Sequence, residues 1–132
     1  MDKELFTSFE GRINRQNWWV GLLVLAIAEW IAIIILSMVF GVSMMGSMQP
    51  ADPSGMPHMS AGTGVLIGIV GLIFLWPGLA VYTKRWHDRN KSGWWTLIGL
   101  IPIIGGLWLL IELGFLRGTD GPNRFGPNPL GR

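Results

Sequence analysis

The sequence contains no cysteine, which excludes disulfides, thiolate metal sites and a cysteine nucleophile. Charge is scarce as well. With only 14% charged residues, half the residues hydrophobic and eight tryptophans, the chain is too apolar for an ordinary small soluble domain, and 132 residues are too few for two domains. It carries no nucleophile motif, no phosphate-cradling loop and no carboxylate pair, so an enzyme is not expected. No small-residue cleavage pattern follows the first apolar run, which therefore reads as a retained helix. These absences leave one class, an integral membrane protein, as a single membrane domain over residues 1–132.

Three apolar spans account for most of the chain: 18–40, 64–82 and 94–116. The first, at 1.5 Å per residue, reaches about 34 Å, slightly more than a bilayer core. Its thirteen Leu, Ile, Val and Phe residues outweigh the one buried charge, Glu29. The predicted fold is an all-α bundle of about three transmembrane helices, with a basic cytoplasmic loop and a turn-rich tail over 117–132. The third span is interrupted at Ile101-Pro102-Ile103-Ile104-Gly105-Gly106. A proline-kinked single crossing is the expectation there, and a re-entrant bend is the alternative.

Lysine and arginine set the orientation under the positive-inside rule. The amino-terminal segment has three (Lys3, Arg12, Arg15), the first loop none, the second loop four (Lys84, Arg85, Arg89, Lys91) and the tail three (Arg117, Arg124, Arg132). A cytoplasmic amino terminus puts seven of the ten inside, and three full crossings leave the tail's three outside, against the rule. Trp18, Trp19, Tyr82, Trp86, Trp94 and Trp95 would form an aromatic belt at the cytoplasmic interface. Small residues line one face of the second span at Gly64, Gly68, Gly71 and Gly78, and of the first at Gly21, Ala28 and Ala32, where another helix would approach closely.

Several of these segments together are recognisable. Phe9-Glu10-Gly11-Arg12-Ile13-Asn14-Arg15 with Trp18-Trp19, then Lys84-Arg85-Trp86-His87-Asp88-Arg89, Ser92-Gly93-Trp94-Trp95, Ile101-Pro102 and Gly118-Thr119-Asp120-Gly121-Pro122-Asn123-Arg124-Phe125-Gly126-Pro127 resemble the YhaH-like Domain of Unknown Function 805 family. Trp86 stands where that pattern usually has leucine, which keeps the position apolar. The resemblance implies a bacterial inner-membrane location and a small multi-span architecture. It implies no activity.

The densest chemistry lies between residues 84 and 94, which hold four of the ten basic residues, one of the two histidines and two of the eight tryptophans. Arginine offers a planar fork to phosphate, lysine a point charge and tryptophan an interfacial wedge. Arg12, Arg15, Lys84, Arg85, Trp86, His87, Asp88, Arg89, Lys91, Asn123 and Arg124 are therefore the candidate residues for binding anionic lipid. A membrane-protein partner or a second copy of the chain are alternative ligands for the same surface, and nucleic acid is not expected. The plainer reading is that these charges only set topology. His87 beside Asp88 suggests acid-base chemistry only if the two pair in space.

Two acids lie within the apolar spans, Glu29 near the middle of the first and Glu112 towards the far end of the third. Such residues are candidates for proton or cation handling, or for fastening helices together. Six of the seven methionines fall between residues 38 and 59. Met44, Met45, Met48, Met56, His58 and Met59 in the flexible external first loop are soft ligands suited to Cu(I), or an apolar loop lying on the membrane. A small transporter or metal-handling protein is the competing functional class. No organic cofactor is expected.

Overall fold

The computed structural model describes residues 4–39, 41, 48–49, 58–59 and 61–131. Two long helices dominate, α1 (Arg15–Val39) and α2 (Ala61–Asp88). They are joined by a segment in which β1 (Met48–Gln49) and β2 (His58–Met59) pair antiparallel, with Met48 opposite Met59 and Gln49 opposite His58. This small ladder lies within the first loop, which the sequence predicts to be flexible and external. Met44, Met45 and Met56 lie outside the described residues. The chain divides into two compact units, residues 1–25 with 76–132 and residues 26–75.

Asn14 caps α1, its carbonyl and side-chain oxygens accepting from the backbone N–H groups of Trp18 at 3.1 Å and Asn17 at 2.7 Å. The helix then runs 25 residues at a mean hydropathy of 2.7, and α2 runs 28 residues at 2.3, so both are long and apolar enough to cross a membrane. The apolar part of α2 ends at Tyr82. Its last six residues, Thr83 to Asp88, form a polar helical extension where the sequence predicted a loop. The helix stops at Asn90, whose φ of 58° is one that asparagine tolerates better than most residues. There the N–H groups of Lys91 and Asn90 return to the carbonyls of Trp86 and His87, both at 2.9 Å, closing a Schellman motif.

In the unit of residues 26–75, Leu66 and Val70 are buried while much of the remaining apolar surface is exposed, Leu72 to 72%. A Cβ at Gly64, Gly68, Gly71 or Gly78 would meet nothing within 4 Å, so the small-residue face of α2 approaches no described neighbour closely. Gly21 does meet one, with Val81 at 3.3 Å from the position of its Cβ.

The other unit is built around Leu5, Ile13, Trp18, Val81, Trp86 and Leu113, all buried. Two residues expected in the aromatic belt, Trp18 and Trp86, are thus core residues, whereas Trp94 is 79% exposed. Residues 94–116 are not one kinked helix. A 3₁₀ stretch (Gly93–Leu100), begun by Ser92 accepting from the Trp94 N–H, packs against the short helix α3 (Ile104–Leu109), which continues as a π-helical turn (Leu110–Phe115). The chain reverses at Ile101-Pro102-Ile103, where Ile103 takes φ 65°, an uncommon conformation for a β-branched residue. Gly105 makes the reversal sterically feasible, because a Cβ there would lie 2.0 Å from the Ile98 carbonyl oxygen.

Candidate functional site

The polar extension of α2, the segment before α1 and the tail converge on Asp88. Arg12 donates from Nε and Nη2 to Asp88 Oδ1 at 3.2 and 3.0 Å, and Arg85 donates from Nη1 to Asp88 Oδ2. All three side chains are at most 5% exposed. Their remaining donors are satisfied by carbonyls. Arg12 reaches Gly121, Gly126 and Thr119 of the tail at 2.8, 3.2 and 2.7 Å, and Arg85 reaches Leu113 and Leu116 at 2.7 and 2.6 Å. The Thr119 N–H donates to the Asp88 carbonyl at 2.7 Å. Gly118 permits this close approach, since its Cβ would fall 2.0 Å from Asp88 Oδ2. Burial pulls the Arg85 pKa down to about 10, with the Asp88 charge opposing, so Arg85 stays cationic at neutral pH.

A second node forms around Glu112. Its Oε1 accepts from Arg89 Nε and Nη2 at 3.3 and 3.1 Å and from Lys91 Nζ at 2.7 Å, while Arg89 Nη1 also donates to the Arg117 carbonyl. Glu112 is therefore a buried counter-ion of the basic segment. The chain reversal brings it back to that segment, away from the far end of a third span where the sequence reading put it. Lys91 lies 4.9 Å from the Trp95 ring centre and 5.6 Å from that of Trp86. Lys84 donates to the Glu4 carbonyl.

His87 bonds to groups other than the Asp88 carboxylate. Its Nδ1–H donates to the Gly11 carbonyl at 3.0 Å and its ring stacks on Phe125 at 3.8 Å. Burial lowers its pKa, reinforced by the Arg124 charge and opposed by the Gly11 hydrogen bond. Asn123 donates to the His87 carbonyl at 2.8 Å, and Arg124 reaches the Asn90 carbonyl at 3.3 Å. All eleven predicted residues thus belong to one unit, but Arg12, Lys84, Arg85, Trp86 and Asp88 are buried in it, turned inward to carbonyls, carboxylates and the core.

Beside this network lies a cavity of about 220 Å³ lined by Asn14, Arg15, Asp88, Arg117, Gly118, Thr119, Asp120, Asn128 and Leu130. Arg15 uses one donor on the Phe115 carbonyl at 2.7 Å and is otherwise exposed. Among the described residues, no side-chain hydrogen bond engages the Arg117 guanidinium, the Asp120 carboxylate or the Thr119 hydroxyl. Of these lining residues the sequence reading singled out only Arg15 and Asp88. Gly118, Thr119 and Asp120 fall in the turn-forming run from Gly118 to Pro127 that also carries the family resemblance, while Asn14, Arg117, Asn128 and Leu130 lie outside that run.

Residues 6–127 match the family described as Protein of unknown function (DUF805). The chain belongs to this family. It is 35% identical over 126 residues to the Inner membrane protein YhaH of Escherichia coli, covering 94% of this chain and 88% of that protein. It is 30% identical over 125 residues to the Inner membrane protein YhaI of the same organism, covering 94% and 87%. The Uncharacterized protein YiiR of Escherichia coli is 27% identical over 143 residues, covering 90% and 84%. No solved structure matches. The matched region of this DUF805 member contains both charge nodes.

Glu29, in α1, is half-buried and makes no hydrogen bond or ion pair among the described residues. Among those residues no three of His, Asp and Glu come together as a metal site.

Proposed function

We propose that this chain is a non-enzymatic bacterial inner-membrane protein with two crossings, a re-entrant hairpin and a cytoplasmic polar cap that binds the phosphate of a phospholipid headgroup. The observation that carries the architecture is the bonding of the tail to Arg12. Residues before α1 and residues 119–126 are hydrogen-bonded to each other, so the chain that departs at Gly93 has returned by Thr119. The two arms fit that path. The eight-residue 3₁₀ stretch rises about 16 Å and the twelve residues of Ile104–Phe115 about 18 Å, each near half of a ~30 Å hydrocarbon core. In this topology all ten lysines and arginines belong to segments on one side, and residues 41–63 carry none. That asymmetry favours a cytoplasmic amino terminus and tail. The inner-membrane names of YhaH and YhaI support the same location.

The headgroup reading rests on the cavity. Arg12, Arg85, Arg89 and Lys91 are engaged within the fold, whereas Arg117 and most of Arg15 keep donors for an outside acceptor. Guanidinium forks suit phosphate oxygens. A 220 Å³ space is below the range of drug-sized pockets and suits a small ionic group. A binding role is further supported by the bonding of the His87 imidazole to the Gly11 carbonyl and of the Asp88 carboxylate to Arg12 and Arg85, which leaves these two side chains unpaired with each other as acid and base. Replacing Arg15 and Arg117 together by glutamine is expected to reduce phospholipid retained in native mass spectrometry. Unchanged retention would contradict the headgroup reading.

One observation keeps the metal-handling alternative: the ladder register sets Met48 opposite Met59 and Gln49 opposite His58. Cu(I) titration of a peptide covering residues 44–59 tests it, and binding no tighter than micromolar removes it.

A further inference from the structure

We infer that the headgroup this cavity selects is zwitterionic, a phosphodiester carrying a primary ammonium as in phosphatidylethanolamine, rather than the purely anionic lipid that the basic sequence suggests. The inference rests on the headgroup reading above and adds the identity of the ligand.

The cavity's charges are mixed. Arg15 and Arg117 bring two guanidinium groups to its lining, and Asp120 brings a carboxylate that no described residue pairs. Asp88 also lines it, but both of its oxygens are held by Arg12 and Arg85, so it offers an ammonium little. The charged groups left for a ligand are therefore two cationic forks and one anion, beside the Thr119 hydroxyl and the Asn14 side-chain amide N–H. A phosphodiester satisfies the forks with its two unesterified oxygens. A primary ammonium brings three N–H donors, which match the carboxylate of Asp120 and the hydroxyl of Thr119. Phosphatidylglycerol has the same phosphate but ends in hydroxyls, which leave Asp120 without a counter-charge and beside a lipid of like sign. Asp120 thereby discriminates through attraction to one headgroup and repulsion of the other.

Asp120 sits one residue before Gly121, whose φ of 67° turns the chain and whose carbonyl is fixed by Arg12. On the other side Gly118 is pressed against Asp88. The backbone on both sides of Asp120 is thus anchored to the buried charge network, which holds the carboxylate at the cavity rather than on a free tail.

The test is native mass spectrometry of the full chain, released from detergent after incubation with an equimolar mixture of phosphatidylethanolamine and phosphatidylglycerol of identical acyl chains. Wild type is expected to retain the ethanolamine lipid over the glycerol lipid by about threefold, the size appropriate to an ion pair open to water. Asp120→Asn is expected to erase that preference, with retention of the ethanolamine lipid falling towards that of the glycerol lipid. An Asp120→Glu variant, which keeps the charge, is expected to restore part of it. Equal or greater retention of phosphatidylglycerol by wild type, or a preference unaltered in Asp120→Asn, would overturn the zwitterion inference and leave the headgroup reading standing. The headgroup reading fails separately, if Arg15 and Arg117 prove dispensable for retention of either lipid. Binding of water-soluble glycerophosphoethanolamine with no retention of the lipid itself would overturn the lipid form of the inference.

Discussion

Asp88 is the residue on which the cap depends. A carboxylate this deeply buried is tolerable because two guanidinium groups surround it, and removing it would leave both of them buried without a counter-charge. Asp88→Asn is accordingly expected to destabilise the protein by about 3–5 kcal/mol, the range for breaking one partner out of a buried ion pair. Thermal unfolding in detergent reads this as a large fall in midpoint or loss of folded material, and an unchanged midpoint would refute the assignment. His87 gives a pH signature. Its folded pKa lies below the ordinary 6.5, so the unfolded chain binds the proton more readily. The stability from neutral His87 is complete above about pH 6.5 and is lost as pH falls towards its lowered folded value. The unfolding midpoint should therefore drop on mild acidification, and His87→Gln should flatten that drop. The sequence marks both residues, with a nearby arginine as the expected partner of Asp88 and His87 as a hydrogen-bonding anchor, and Arg85, three residues before Asp88, is such an arginine. Their other partners are distant: Gly11 is 76 positions from His87, and Arg12 is 76 from Asp88, separations that no local pattern reveals.

Among the elements, the two long helices were legible because a predominantly apolar run longer than 18 residues has few other solutions. The third apolar stretch was not. Its hydropathy is the same whether it crosses or turns back, and the choice depends on Ile103 accepting a positive φ and on Gly105 passing under the Ile98 carbonyl. The run Pro102 to Gly106 signalled a break without its angle. Gly105→Ala tests the reversal against its neighbour Gly106, whose Cβ would meet nothing within 4 Å. Overpacking at Gly105 should cost about 1–3 kcal/mol. Gly106→Ala should leave stability unchanged or raise it by up to about 1 kcal/mol, since alanine is the better helix former. Equal effects in unfolding midpoints would mean that the hairpin does not pack as described. The end of α2 carried a readable but unread signal, with Asn90 at the position where a Schellman motif favours glycine or asparagine.

At the scale of the whole molecule, polar groups inside and apolar groups outside reverse the ordinary soluble pattern. Arg85 and Lys84 are almost fully buried while Leu100 and Ile103 are about four-fifths exposed. The basic segment that looks from sequence like a surface for anions is largely a set of internal fasteners, and the proposed ligand site lies instead at Arg117 and Asp120, with Arg15 kept from the sequence-derived candidates. In the proposed topology the tail ends on the side where the chain begins. Because the sequence has no cysteine, single cysteines report position without background. We would introduce Leu130→Cys in the tail and Ser54→Cys in the segment between α1 and α2, then label with a membrane-impermeant maleimide from each side in turn. The tail cysteine is expected to react only from the cytoplasmic side and the Ser54 position only from the periplasmic side. Labelling of the tail cysteine from the periplasm, with Ser54→Cys on that same side, would establish three crossings and contradict the re-entrant hairpin and the composite polar cap together.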